Sequence, residues 1–122
     1  MALRIIRRDY GDITVLELDG GMTMVNLPNP PLFRDTIDDL IRSQRNKIVL
    51  LYEGVPYQDS TGNGEIVRAF TKVRNAGGTL VFVGLTQKIN DLFQITKLIT
   101  VFPVFKTLDE ALSHLGYSQD GV

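Results

Sequence analysis

Lys47-Ile48-Val49-Leu50-Leu51-Tyr52, followed by the candidate working site Val55-Pro56-Tyr57-Gln58-Asp59-Ser60-Thr61-Gly62-Asn63-Gly64, decides how the rest of the chain reads. The first run is apolar at nearly every position and rich in β-branched residues, the pattern of a strand covered on both faces. In the second, Asp59, Ser60 and Thr61 are all residue types that cap a helix N-terminus, while Gly62 and Gly64 let the backbone turn sharply and approach a neighbour closely. Ile66, Phe70 and Val73 then recur at helical spacing, with Glu65, Arg68, Lys72 and Arg74 between them and Gly77-Gly78 as a stop. Thr79-Leu80-Val81-Phe82-Val83 repeats the covered-strand pattern. A strand-helix-strand unit of this kind places its strands parallel with a right-handed crossover. The Asp59-Ser60-Thr61 turn therefore falls at the carboxyl end of a strand, where sites in open α/β sheets lie. Taken alone, the same segment is also accounted for as a plain capped turn.

On the N-terminal side, Leu3 to Arg8 and Ile13 to Leu18 read as a β-hairpin reversing across Asp9-Tyr10-Gly11-Asp12. Asp19 to Pro31 is an irregular stretch whose three prolines prohibit continuous helix or interior strand, and this longest loop, with its proline-rich part at residues 26–31, is a secondary candidate for a binding loop. A helix is predicted from Pro31, with Phe33, Ile37, Leu40 and Ile41 on its apolar face and Arg34, Asp35, Asp38 and Arg42 elsewhere. On the C-terminal side, Ile89, Leu92 and Phe93 mark a short helix after Thr86. Phe102-Pro103-Val104-Phe105 reads as a brief edge strand. Thr107 caps a last helix with Glu110 at the capping-box position, an apolar face of Leu108, Ala111, Leu112 and Leu115, and Gly116 at its end. These elements predict one α/β domain over residues 1–122, with a core from about 3 to 115 and a frayed tail. Its mixed sheet has about five strands, packed with about four helices on one or both faces.

Composition removes several classes of function. The chain has 122 residues, a formal net charge of −1 and no cysteine. Without a basic block there is no electrostatic footprint for nucleic acid or an anionic membrane. Without cysteine there is no disulfide, thiol nucleophile or thiolate metal site, which suits a reducing compartment. Arg4, Arg7, Arg8 and Asp9 interrupt any leader-like apolar run, and no segment reaches spanning length, so a cytoplasmic protein is expected.

Catalytic constellations are equally scarce. The single histidine, His114, lies in the last helix and reads as a surface residue, and Asp59 is poorly placed in sequence to act as a base for Ser60. Gly62-Asn63-Gly64 lacks the lysine and the further glycine of nucleotide-binding loops. Asp35, Asp38 and Asp39 have no metal-ligand spacing and read as a solvated helix face. Neither enzyme chemistry nor a cofactor is therefore expected. What remains is a hydroxyl that another enzyme could modify, held on a glycine-flexed turn near a helix N-terminus.

Asp59-Ser60-Thr61-Gly62-Asn63-Gly64 resembles the D-S-[ST]-G-[LI]-G motif of STAS domains in the anti-sigma factor antagonist branch. Val73 to Leu80, Leu92 to Leu98 and Val101 to Phe105 resemble that family's following helix end, strand and C-terminal signature, so the likeness runs from about Ile13 to Leu115. It implies partner switching in place of catalysis. The unphosphorylated antagonist binds a serine kinase that is also an anti-sigma factor, the kinase phosphorylates the position occupied by Ser60, and a serine phosphatase reverses the step. Asp59, Thr61, Gly62, Asn63, Gly64 and Thr23 would form the phosphorylation loop and partner-binding surface. The sequence departs from the pattern at Gly20-Gly21-Met22-Thr23, where an acidic G-E-L-D-like segment is usual, at Gln58, usually apolar, and at Asn63, usually Leu or Ile. A non-switching scaffold or subunit of a larger assembly is the alternative those departures leave open.

Overall fold

Period-two alternation sorts the strand side chains onto two faces, and each face recruits its own helices. The computed structural model describes residues 2–27 and 32–118. The predicted helix start at Pro31, the prolines of the 26–31 segment and the tail after Ser118 lie outside the described residues.

The hairpin pairs β1 (Arg4–Tyr10) antiparallel with β2 (Ile13–Asp19), Arg4 facing Asp19 and Tyr10 facing Ile13. The reversal is tighter than the four-residue connection expected from sequence, because pairing continues through Tyr10 and leaves only Gly11 and Asp12 between the strands. Helix α1 (Leu32–Arg42) leads to β3 (Lys47–Gly54), then α2 (Ser60–Asn75), β4 (Thr79–Val83), α3 (Gln87–Ile95), β5 (Val104–Phe105) and α4 (Leu108–His114). The sheet order is β1-β2-β3-β4-β5, with β2, β3, β4 and β5 joined by parallel pairings. The central strand is thus β3. Pro103 precedes the edge strand, and its carbonyl accepts from Phe82 N–H at 2.9 Å, so its missing donor leaves this ladder intact.

Along β3, Ile48, Leu50 and Tyr52 join Leu16 and Leu18 of β2 and Leu80 and Phe82 of β4 in a core covered by α1, α2 and α3. Val49 and Leu51 point the other way, with Ile13, Val15, Val81 and Val83, under Ala111, Leu112 and Leu115 of the α4 segment. Among the described residues, helices therefore pack on both faces, three on one and one on the other. The larger core contains an aromatic cluster in which the Phe82 and Phe102 rings stack at 4.7 Å and Phe93 meets Phe82 edge-on at 5.7 Å. A 3₁₀ turn at Leu98–Thr100, which the sequence pattern did not indicate, follows Lys97 in a left-handed conformation (φ +66°).

Helix α2 buries the stripe Gly62, Ile66, Ala69 and Val73, and half-buries Phe70. It ends where Gly77 takes φ +80°: Gly77 N–H donates to the Arg74 carbonyl and Gly78 N–H to that of Val73. These bonds satisfy carbonyls of the last turn, that of Val73 also accepting from Ala76 N–H at 3.2 Å. On its flank α2 is tied to α1 by Arg34–Glu65 and by Asp38, whose carboxylate accepts from both Arg68 and Lys72. Asp38 thus departs from the solvated face expected of it: its side chain keeps 21% exposure, and the two cations hold its pKa below the usual carboxylate value against the opposing effect of burial.

Candidate functional site

The site forms where two segments far apart in sequence meet at the carboxyl ends of β2 and β3. After β3 the chain runs through buried Val55 and on to Gln58, which makes an isolated parallel bridge with Met22. Met22 N–H donates to the Tyr57 carbonyl at 3.0 Å, and Asp59 N–H donates to the Met22 carbonyl at 3.1 Å. Met22, fully buried, thereby clamps the turn before α2. Gly62 is required by that clamp, since a Cβ there would lie 2.0 Å from the Met22 carbonyl oxygen. Gly64, one turn position further, faces open space.

Of the three residues able to cap α2, Asp59 does so. Its backbone is extended (φ −107°, ψ −174°), and one carboxylate oxygen accepts from Gly62 N–H at 3.0 Å. The other oxygen accepts from Met24 N–H, also at 3.0 Å, and so ties the 22–26 segment to the helix. The amides of Met24 and then Gly62 hold the Asp59 carboxyl below its usual pKa. With Asp59 as the cap, Ser60 becomes the first residue of the helix, and both Ser60 and Thr61 are exposed. Thr23, between Met22 and Met24, which both bond to this segment, lies in a turn where its hydroxyl and carbonyl both accept from Asn26 N–H. That turn projects Met24 and Val25 outward, 69% and 85% exposed, with Tyr57 at 46% close by in sequence to the clamp.

Beneath this surface the unusual polar residues at 58 and 63 satisfy each other. Gln58 Nε2 donates to Asn63 Oδ1 at 2.6 Å, and Gln58 Oε1 accepts from the Tyr52 hydroxyl at 2.7 Å. Tyr52 is fully buried, and burial pushes its phenol pKa up, keeping it a neutral donor. The two departures from the resembled motif are therefore one hydrogen-bonded unit, and Asn63 commits its side-chain carbonyl to the inside of the turn.

The structure brings together all the residues singled out from sequence: Thr23, Asp59, Ser60, Thr61, Gly62, Asn63 and Gly64 belong to the two segments that meet here. Tyr57 falls within the 55–64 stretch, and Met22, Met24 and Val25 fall within the 19–31 loop that the sequence marked as a secondary candidate, although none of the four was singled out as a site residue. An apolar Met-Val pair inside an otherwise irregular, glycine- and proline-punctuated stretch was the available signal. His114 lies on α4, across the sheet, with its ring 5.0 Å from Phe105. Among the described residues no group of three or more His, Asp or Glu side chains gathers as metal ligands would, and no helix is long and apolar enough to cross a membrane.

The STAS domain family model matches residues 4–111. A candidate anti-sigma factor antagonist of Thermotoga neapolitana is 28% identical over 75% of this chain and 81% of its own length. The crystal structure of a candidate anti-sigma factor antagonist from Thermotoga maritima superposes with a TM-score of 0.82 at 22% identity, covering 90% of this chain and 92% of that one. The Bacillus cell fate determinant SpoIIAA, in its phosphorylated form, gives a TM-score of 0.68 at 17% identity, covering 93% and 99%. At these identities the solved structures speak for the fold.

Proposed function

Because this chain belongs to the STAS domain family, we propose that it acts as an anti-sigma factor antagonist by partner switching: unmodified, it binds an anti-sigma factor that is also a serine kinase, and phosphorylation of Ser60 releases it. The observation that carries this reading is the exposure of Ser60 at the first position of a capped sixteen-residue helix, beside the exposed Met24-Val25 tip. The chain is the substrate of the chemistry and not its catalyst. Ser60 Oγ attacks the terminal phosphorus of a nucleoside triphosphate on the kinase, the hydroxyl proton passes to a kinase base, and the nucleoside diphosphate leaves. A serine phosphatase restores the hydroxyl with water and releases inorganic phosphate.

Electrostatics supports both states. A phosphate adds about −1.5 to −2 charges, and a helix N-terminus favours an anion by roughly 0.3–1 kcal/mol, so the free domain survives modification. Burying that charge against a partner without a matching cation costs several kcal/mol, and each ~1.4 kcal/mol is tenfold in affinity. Site mapping on the protein isolated from its own cells tests the reading. A phosphate on Ser60 whose occupancy changes between growing and stressed cultures is expected, and an unmodified Ser60 throughout would overturn it.

The alternative, a constitutive scaffold in a larger assembly, draws support from Gly20-Gly21-Met22-Thr23, which lacks the acidic pair of the resembled pattern. In that case partner binding would be insensitive to Ser60→Asp.

A further inference from the structure

Asp59 is the only charged residue between Glu53 and Glu65, and it sits directly before Ser60. Its two oxygens do two jobs, one closing the helix N-terminus at Gly62 and one holding Met24 across 35 residues of sequence. Glu65, the next charged residue along α2, holds Arg34 at 2.5 Å, so that the cation flanking this end of the helix is already engaged by a carboxylate. A phosphate on Ser60 would place a second anion at a helix terminus whose first-turn amide is already used by the first. Two anions cannot share those donors without strong repulsion, and the dianion is the stronger acceptor.

We propose that Asp59 is the residue through which modification of Ser60 reaches the docking surface: the phosphate displaces the Asp59 carboxylate from the helix N-terminus, its bond to Met24 N–H is lost, and the Met24-Val25 tip is untied. The inference rests on the partner-switching reading and adds a structural component to it. Release would follow from losing an ordered apolar contact as well as from charge. The tip is suited to this: its base is held by Met22 and by the Thr23–Asn26 and Thr23–Leu27 turn bonds, while the Asp59 carboxylate is what ties the Met24 amide to α2, and the Met24 and Val25 side chains are mostly in solvent.

Residue-resolved amide exchange by NMR tests it on three forms of the full chain: unmodified, carrying phosphoserine installed at position 60, and Asp59→Asn. Exchange at the Met24 amide is expected to accelerate on the order of tenfold to a hundredfold in the phosphorylated form, the loss of a hydrogen bond to a charged acceptor. Gly62 should stay protected there, because the phosphate takes over that donor. Asp59→Asn, with one carbonyl oxygen for two donors, should accelerate exchange at one or both amides without any phosphate. Unchanged Met24 protection in the phosphorylated form overturns the proposal, as does equal loss at Met24 and Gly62, which would mean fraying of the whole helix end. Neither result bears on whether cells phosphorylate Ser60, which is read separately from site mapping.

Discussion

Tyr52, Gln58 and Asn63 show how much a single side chain can carry at this turn. Leucine at position 58 would match the usual motif, yet here it would strand the fully buried Tyr52 hydroxyl. Gln58→Leu is expected to cost about 1–3 kcal/mol, and adding Tyr52→Phe should recover most of that loss, because the orphaned donor disappears with it. Urea unfolding of the two single variants and the double variant measures the coupling; additive losses would mean that the hydroxyl finds another partner. Asp59 gives a pH signature. Its pKa is lowered in the folded state by the Met24 and Gly62 amides, so its contribution is present above the unfolded value near 4 and is lost as pH falls through the folded value. The stability gap between the natural chain and Asp59→Asn should therefore be constant near neutrality and close below about pH 4. Asp9, Asp12 and Asp38, whose pKa values are also lowered, contribute equally to both proteins and cancel in the difference.

Helix α2 separates two glycines that look alike in sequence. A methyl group at Gly62 would collide with the Met22 backbone, whereas at Gly64 it would meet nothing within 4 Å. Gly62→Ala is expected to destabilise by about 1–3 kcal/mol, and Gly64→Ala to stabilise by about 0.5–1 kcal/mol through helix propensity. Thermal unfolding of the two variants should move in opposite directions; a shift of the same sign in both would contradict the close approach of Met22. The helices themselves were legible because their signals are local. Thr107 caps α4 as read, and Thr86, after which a short helix was expected, caps α3 in the same way, each accepting from the amide three residues on. At Glu110 the expected reciprocal bond takes another form, its carboxylate accepting from the Thr107 hydroxyl. Which of Asp59, Ser60 and Thr61 caps α2 could not be read, because the choice is made by the Met22 clamp, a contact between distant segments.

Across the whole molecule, the element order and the parallel strand-helix-strand centre followed from two covered strands and the helix between them. Whether helices lie on one face or both was not legible, since continuous apolar runs such as Leu80 to Val83 announce burial without assigning each side to a partner. The candidate site was half legible: residues 59–64 stand out by composition, while Met24 and Val25 become part of it only once the chain folds back. The proposed switch rests on membership of the STAS domain family, matched over residues 4–111, and on the exposure of Ser60. Calorimetric titration of the cognate anti-sigma factor kinase with the unmodified and the Ser60-phosphorylated chain tests that claim most directly. A loss of affinity of at least about a hundredfold on phosphorylation is predicted, equivalent to roughly 2.7 kcal/mol. Equal affinity for the two forms would contradict it.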